Sequence, residues 1–93
     1  MRLKEFERTA ILTTVRCFDE HAVVYLFGSR VDDAKKGGDI DLLVLSEQLS
    51  RDDKRAIKSR LYELIGEQKI DLLLAADDVD PFVRLALETG VRL

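Results

Sequence analysis

Three aspartates stand where that residue is least expected, at the edge of or inside apolar runs. Asp39 and Asp41 open Asp39-Ile40-Asp41-Leu42-Leu43-Val44-Leu45, and Asp71 is embedded in Ile70-Asp71-Leu72-Leu73-Leu74. Aspartate is disfavoured in strands and is almost never fully buried without a partner. Side chains two apart in a strand project from one face, so Asp39 and Asp41 point the same way as Leu43 and Leu45, while Ile40, Leu42 and Val44 line the other face. Two like charges on one face repel unless something positive lies between them, and an oxygen-only donor set suits Mg²⁺ or Mn²⁺. If the strand of Asp71 lies beside that of Asp41, about 4.8 Å away, three carboxylates meet at one point. That is enough to hold two divalent ions about 3.5–4 Å apart, an arrangement suited to activating an attacking oxygen and neutralising a leaving phosphate. Asp71, facing the attacking side, is then the best-placed general base.

Gly28-Ser29-Arg30 supplies what carboxylates cannot. The glycine lets a backbone approach a phosphate closely, N–H groups at the start of a following helical turn attract anions, and Ser29 adds a hydroxyl donor. Arg30, Lys35 or Lys36 could add charge, although solvated surface positions suit each of them better. The nine residues Arg30 to Gly38 separate this turn from Asp39. This is not a Walker A loop, because Lys36 is followed by Gly37 rather than Ser or Thr.

The elements that must position these groups follow from periodicity. Leu3 to about Glu20 reads as a helix, with Ile11, Val15 and Phe18 as its stripe and Leu3, Phe6 and Ala10 extending it. Glu5 and Glu7 near its start complement the helix dipole, and His21 closes it as a helix-end residue without a catalytic partner. Ala22 to Phe27 is continuous, β-branched and aromatic, as in a strand buried on both faces. Arg30 to Ala34 is expected as a short helical turn and Lys35 to Gly38 as a loop. Asp39 to Leu45 is the second strand. Ser50 caps a helix whose buried stripe is Ile57, Leu61, Leu64 and Ile65 and which Gly66 stops. Ile70 to Leu74 is a third strand, and a last helix runs from about Pro81 to Glu88 before Gly90. Val91 to Leu93 either adds an edge strand or trails off. The order predicts an α/β (α+β) domain, residues 1–93, with one small mixed central sheet flanked by helices.

Composition narrows the field. Ninety-three residues with 46% apolar content can build one modest core without disulfides. Eighteen acidic against 15 basic residues argue against wrapping a nucleic-acid backbone as the main task, though not against binding one nucleotide. The lone Cys17 excludes an internal disulfide and reads as a small buried hydrophobe on a helix; a reducing cytoplasm suits it. No apolar run approaches a membrane span, and no signal-peptide block follows the charged start.

Competing readings of Asp-x-Asp fail on context. An EF-hand needs further oxygen ligands and a later Glu that Leu42 to Leu45 do not supply. Phosphatases of the haloacid dehalogenase type carry the pair after a strand, whereas here the pair begins one. An edge strand with solvated aspartates leaves the third Asp unexplained.

Phe27-Gly28-Ser29-Arg30-Val31, Gly38-Asp39-Ile40-Asp41-Leu42 and Ile70-Asp71-Leu72 together resemble the minimal nucleotidyltransferases of the DNA polymerase β superfamily. The resemblance extends to Pro81-Phe82-Val83-Arg84-Leu85 and Gly90-Val91. Many members have Ala where Val31 stands and Ser where Gly38 stands; neither change removes a metal ligand. The resemblance implies a polymerase β-like fold and transfer of a nucleoside monophosphate to a hydroxyl. Asp39, Asp41 and Asp71 would bind two Mg²⁺, and Gly28 and Ser29, with Arg30 beside them, would hold the triphosphate of ATP. Stand-alone minimal members are similar to antitoxins encoded beside HEPN ribonuclease toxins, which transfer AMP from ATP to a toxin tyrosine. On that resemblance the expected partner is a HEPN-type toxin, and the acceptor half of the site comes from a partner or a second copy. Two other readings stay open: a non-catalytic module that neutralises a toxin by contact, and a nucleotidyltransferase acting on RNA ends or a small molecule.

Overall fold

A computed structural model describes residues 2–32, 39–66 and 68–93. The expected loop Lys35 to Gly38, and Ala34 before it, lie outside the described residues.

The first helix, α1 (Glu5–Phe18), buries Ile11, Leu12 and Val15. It starts later than its apolar stripe suggests, because Arg2 to Lys4 is extended and docks on a turn elsewhere: the Arg2 N–H donates to the Arg30 carbonyl at 2.7 Å. Phe6 is 57% exposed rather than part of the stripe. At 100° per residue it lies about 140° around the helix from Ile11, whereas Glu7 lies about 40° away and is buried. Cys17 is exposed, not buried, since it points about 200° away from Val15. The helix ends at Phe18, where Asp19 turns extended and its backbone N–H donates to the Val15 carbonyl at 2.9 Å.

A buried clasp follows. Asp19 Oδ1 accepts the His21 N–H at 3.0 Å, and Asp19 Oδ2 accepts the Ser46 hydroxyl at 2.5 Å. Ser46 Oγ in turn accepts the N–H groups of Gln48 and Leu49. These bonds hold the Asp19 carboxyl below its ordinary value of 3.8, Ser46 contributing most. His21 itself is exposed beside Glu20, as a helix-end residue.

Among the described residues four strands follow the order β3-β2-β1-β4, with β1 (Val23–Phe27), β2 (Ile40–Leu45), β3 (Ile70–Ala75) and β4 (Val91–Arg92). β1 pairs antiparallel with β2 and β4, and β2 pairs parallel with β3. The crossover from β2 to its parallel neighbour β3 needs a long connection, supplied by α2 (Arg51–Ile65). Its cap is the one the sequence announces: Asp53 N–H donates to Ser50 Oγ and Ser50 N–H to Asp53 Oδ2. The last helix, α3 (Pro81–Thr89), begins with Asp80 accepting the Phe82 N–H.

The sheet divides two unequal cores. Ile40, Leu42 and Val44 of β2, with Val24, Leu26, Ile70 and Leu72, pack under α1 and α2. On the other face Leu43 meets Val83 and Ala86 of α3, with Tyr25, Phe27, Leu45 and Leu73 around them. β1 is therefore not buried on both faces; Val23, Tyr25 and Phe27 stay half-buried, because nine-residue α3 is the one helix packed on that side among the described residues. Leu64, expected in the buried stripe of α2, is 49% exposed. It lies about 60° from the centre of the stripe made by Ile57, Leu61 and Ile65. The alternation of β2 places Asp41 on the α3 face with Leu43, and that of β3 places Asp71 there with Leu73.

Candidate functional site

The parallel register of β2 and β3 sets Asp41 directly opposite Asp71, and the antiparallel register sets Phe27 opposite Asp41 on its other side. Three adjacent strands thus present Phe27, Asp41 and Asp71 in one row. Gly28 follows Phe27 immediately, with φ +73°, a conformation that L side chains rarely adopt. A Cβ built on Gly28 would overlap the Asp41 carboxyl, so glycine is required both by the backbone and by the carboxylate beside it.

The Asp41 and Asp71 carboxyls are within hydrogen-bonding reach of each other. Partial burial raises the Asp41 carboxyl above its ordinary 3.8, and the charges of Asp71 and Asp39 raise it further. Asp39, just before β2, is half-exposed and pairs with Lys69, whose Nζ lies 3.4 Å from Asp39 Oδ2. That hydrogen bond and the carboxylate charges raise the Lys69 ammonium above its ordinary value. The structure therefore brings Asp41 and Asp71 together and holds Asp39 slightly apart. Among the described residues no three His, Cys, Asp or Glu side chains stand at coordinating distance of one point. The expected convergence of three carboxylates is met by two, because three uncompensated charges repel and the nearest cation draws one of them off.

The turn after Gly28 is a single 3₁₀ turn, Gly28–Val31, which begins two residues before the short helical turn expected from Arg30. It is braced from the α1 side. Arg2 donates from Nη2 to the Ser29 carbonyl and from Nε to the Asp32 carbonyl, both at 3.1 Å. Arg30 Nη1 donates back to the Arg2 carbonyl, and Arg30 Nη2 to Gln68 Oε1 at 3.1 Å. Gln68 Nε2 donates to buried Glu7 Oε2 at 2.6 Å, and Glu7 Oε1 accepts the Lys4 N–H. Arg30 is thus half-buried in a hydrogen-bonded network rather than a solvated surface residue.

Sequence reasoning did not pick out Lys69, Gln68 or Arg2, and it read Glu7 only as a complement to the helix dipole. For Lys69 a signal existed: it lies two residues before Asp71, the spacing that puts strand side chains on one face. Glu7 could have been found from its angle to Ile11. The contacts of Arg2 and Gln68 join segments far apart in sequence and leave no local pattern.

A divalent cation fits the Asp41–Asp71 pair. The donors are hard oxygens, their mutual repulsion raises Asp41, and Mg²⁺ is usually held by one or two carboxylates together with substrate phosphates. Asp39 would join after leaving Lys69. No helix among the described residues is long and apolar enough to cross a membrane.

Among curated proteins none matches the chain. The family described as Polymerase beta, Nucleotidyltransferase matches residues 10–93, which span every strand and the row Phe27, Asp41 and Asp71. Domains of this family catalyse nucleotidyl transfer and generally use a nucleoside triphosphate with a divalent metal. With a four-stranded mixed sheet and three α-helices among the described residues, and a match over nearly its whole length, the chain belongs to the polymerase β nucleotidyltransferase family.

Proposed function

We propose that the chain transfers a nucleoside monophosphate, AMP from ATP, to a hydroxyl of a partner protein, and that it acts in the cytoplasm as an antitoxin by adenylylating a tyrosine of a HEPN-type ribonuclease toxin. The observation that carries the catalytic half is the in-register Asp41–Asp71 pair beside the positive-φ Gly28. Asp41 and Asp71, with Asp39, would hold Mg²⁺, which when bound neutralises phosphate charge and favours ionisation of the attacking hydroxyl. The Gly28–Val31 turn receives the triphosphate, and Asp71, the more exposed of the pair, takes the proton of the acceptor hydroxyl. The acceptor oxygen forms a bond to the α-phosphorus, the α–β anhydride P–O bond breaks, and pyrophosphate leaves with the electron pair.

Two features support a protein as acceptor. The net charge of −3 disfavours RNA, whose binding draws on basic surface. Phe82 and Leu85 of α3 are exposed, as is Val79 just before that helix; α3 lies on the same side of the sheet as the carboxylates, and Phe82 meets Phe27 edge to face at 6.0 Å. Apolar surface of this kind suits a protein partner.

The test is transfer of label. The protein is incubated with Mg²⁺, labelled nucleoside triphosphates and cell extract, in parallel with the Asp39→Asn, Asp41→Asn double variant. Label on a protein that falls in the variant by more than the roughly 10- to 100-fold cost of losing a mere supporting partner of a metal site supports the reading. Label on RNA assigns the acceptor to nucleic acid instead. Protection of cells from the cognate toxin by the double variant would show that contact alone suffices.

A further inference from the structure

We propose that Lys69 is the built-in counter-cation of the carboxylate site, holding Asp39 while no divalent ion is bound and giving way when one arrives with the triphosphate. The inference rests on the nucleotidyltransferase reading and concerns how that site is loaded.

The Lys69 main chain is fixed, because its carbonyl accepts the Ile40 N–H at 3.0 Å between Asp39 and Asp41. Its side chain is not fixed: it is 71% exposed, and its one ion pair among the described residues is with Asp39 Oδ2 at 3.4 Å. It shares the face of Asp71 by the two-residue spacing, so the ammonium stands at the rim of the carboxylate row. An isolated exposed ion pair does little. Here the anionic side is a group of three aspartates, one of which must turn from Lys69 toward Asp41 and Asp71 before all three can share an ion.

Binding a bare divalent ion therefore requires displacing a cation already present and tolerating its charge nearby. A nucleoside triphosphate changes the balance, because its phosphates give the released ammonium a new anionic partner. Lys69 thus lowers affinity for metal alone and couples metal loading to nucleotide arrival.

The test uses Mn²⁺ as the probe, titrated into the whole protein at constant ionic strength and followed by electron paramagnetic resonance, with and without a non-hydrolysable nucleoside triphosphate. Without nucleotide, Lys69→Gln is expected to bind Mn²⁺ about tenfold more tightly than the wild type, the order set by removing one nearby unit charge at a solvated site. Lys69→Arg keeps the charge and stays within about twofold of the wild type by the same reasoning. The nucleotide is expected to tighten Mn²⁺ binding more in the wild type than in Lys69→Gln. Metal-free Lys69→Gln should also melt below the wild type and gain more in Tm on adding Mn²⁺. A Lys69→Gln variant that binds Mn²⁺ no more tightly than the wild type without nucleotide overturns the inference. If neither protein binds Mn²⁺ even with nucleotide, the metal reading of the site falls as well.

Discussion

At the scale of single residues, Gly28 is the position where two requirements coincide. Its φ of +73° places it in the left-handed region, and the side of its Cα where a Cβ would stand is filled by the Asp41 carboxyl. A Gly28→Ala substitution therefore strains the backbone by about 1–2 kcal/mol and, separately, pushes Asp41 out of its row with Asp71. The expected outcome is a folded protein with a modest fall in Tm and a loss of nucleotidyl transfer far larger than that fall explains. Thermal melts beside a label-transfer assay check it, and activity that falls only in proportion to the unfolded fraction would show that the Asp41 contact does not matter. The placement of Gly28, Asp41 and Asp71 side by side was legible in the sequence because these residues violate local preference: aspartates in apolar runs and a Gly-Ser break after a strand. Lys69 and Glu7 violate nothing. A lysine before a strand and a glutamate in the first turn of a helix are both ordinary, so their roles emerge only once the fold gives them neighbours.

Among elements, the turn Gly28–Val31 is held by a relay that starts on α1. Glu7 accepts from Gln68, Gln68 accepts from Arg30, and Arg30 and Arg2 exchange hydrogen bonds while Arg2 holds the carbonyls of Ser29 and Asp32. This predicts that residues distant from any phosphate tune nucleotide binding. Gln68→Ala removes the middle of the relay and leaves a buried Glu7 oxygen without its donor, which costs about 1–3 kcal/mol. It is expected to raise KM for the nucleotide several-fold with a smaller effect on kcat. Arg30→Lys, which keeps the charge but not the planar fork, should behave like Gln68→Ala if Arg30 braces the turn, and like the wild type if its charge alone serves the phosphates. Steady-state kinetics on both variants decides between these roles. The elements were legible from periodicity, and the Ser50 cap and the Pro81 start match the observed helices. Their ends shifted where a tertiary contact outcompeted helix propensity: Arg2 to Lys4 docks on the turn, and Asp19 leaves α1 to clasp Ser46.

Across the whole molecule, the two ends of the sheet respond oppositely to pH. At the end away from the site, Asp19 is held below 3.8 by Ser46 and by the His21 N–H. A depressed carboxyl contributes stability that is fully present above its unfolded value and is lost as pH falls through the folded value. At the site end, Asp41 is raised above 3.8 by burial and by Asp71 and Asp39. The unfolded chain then releases that proton first, so the penalty is absent below about 3.8, grows as pH rises through the folded value and is complete above it. At neutral pH the clasp stabilises the fold while the metal-free carboxylate row opposes it. Thermal melts at pH 7 and near pH 3 separate the two. Ser46→Ala should melt below the wild type at pH 7, with a deficit that shrinks near pH 3. Metal-free Asp41→Asn should melt above the wild type at pH 7 and match it near pH 3. Saturating Mg²⁺ should reverse the neutral-pH order, because an ion that binds only the native wild type raises its Tm and leaves the variant behind. An Asp41→Asn protein that melts no higher than the wild type at pH 7 without metal would mean that the carboxylate row carries no stored repulsion for a cation to relieve.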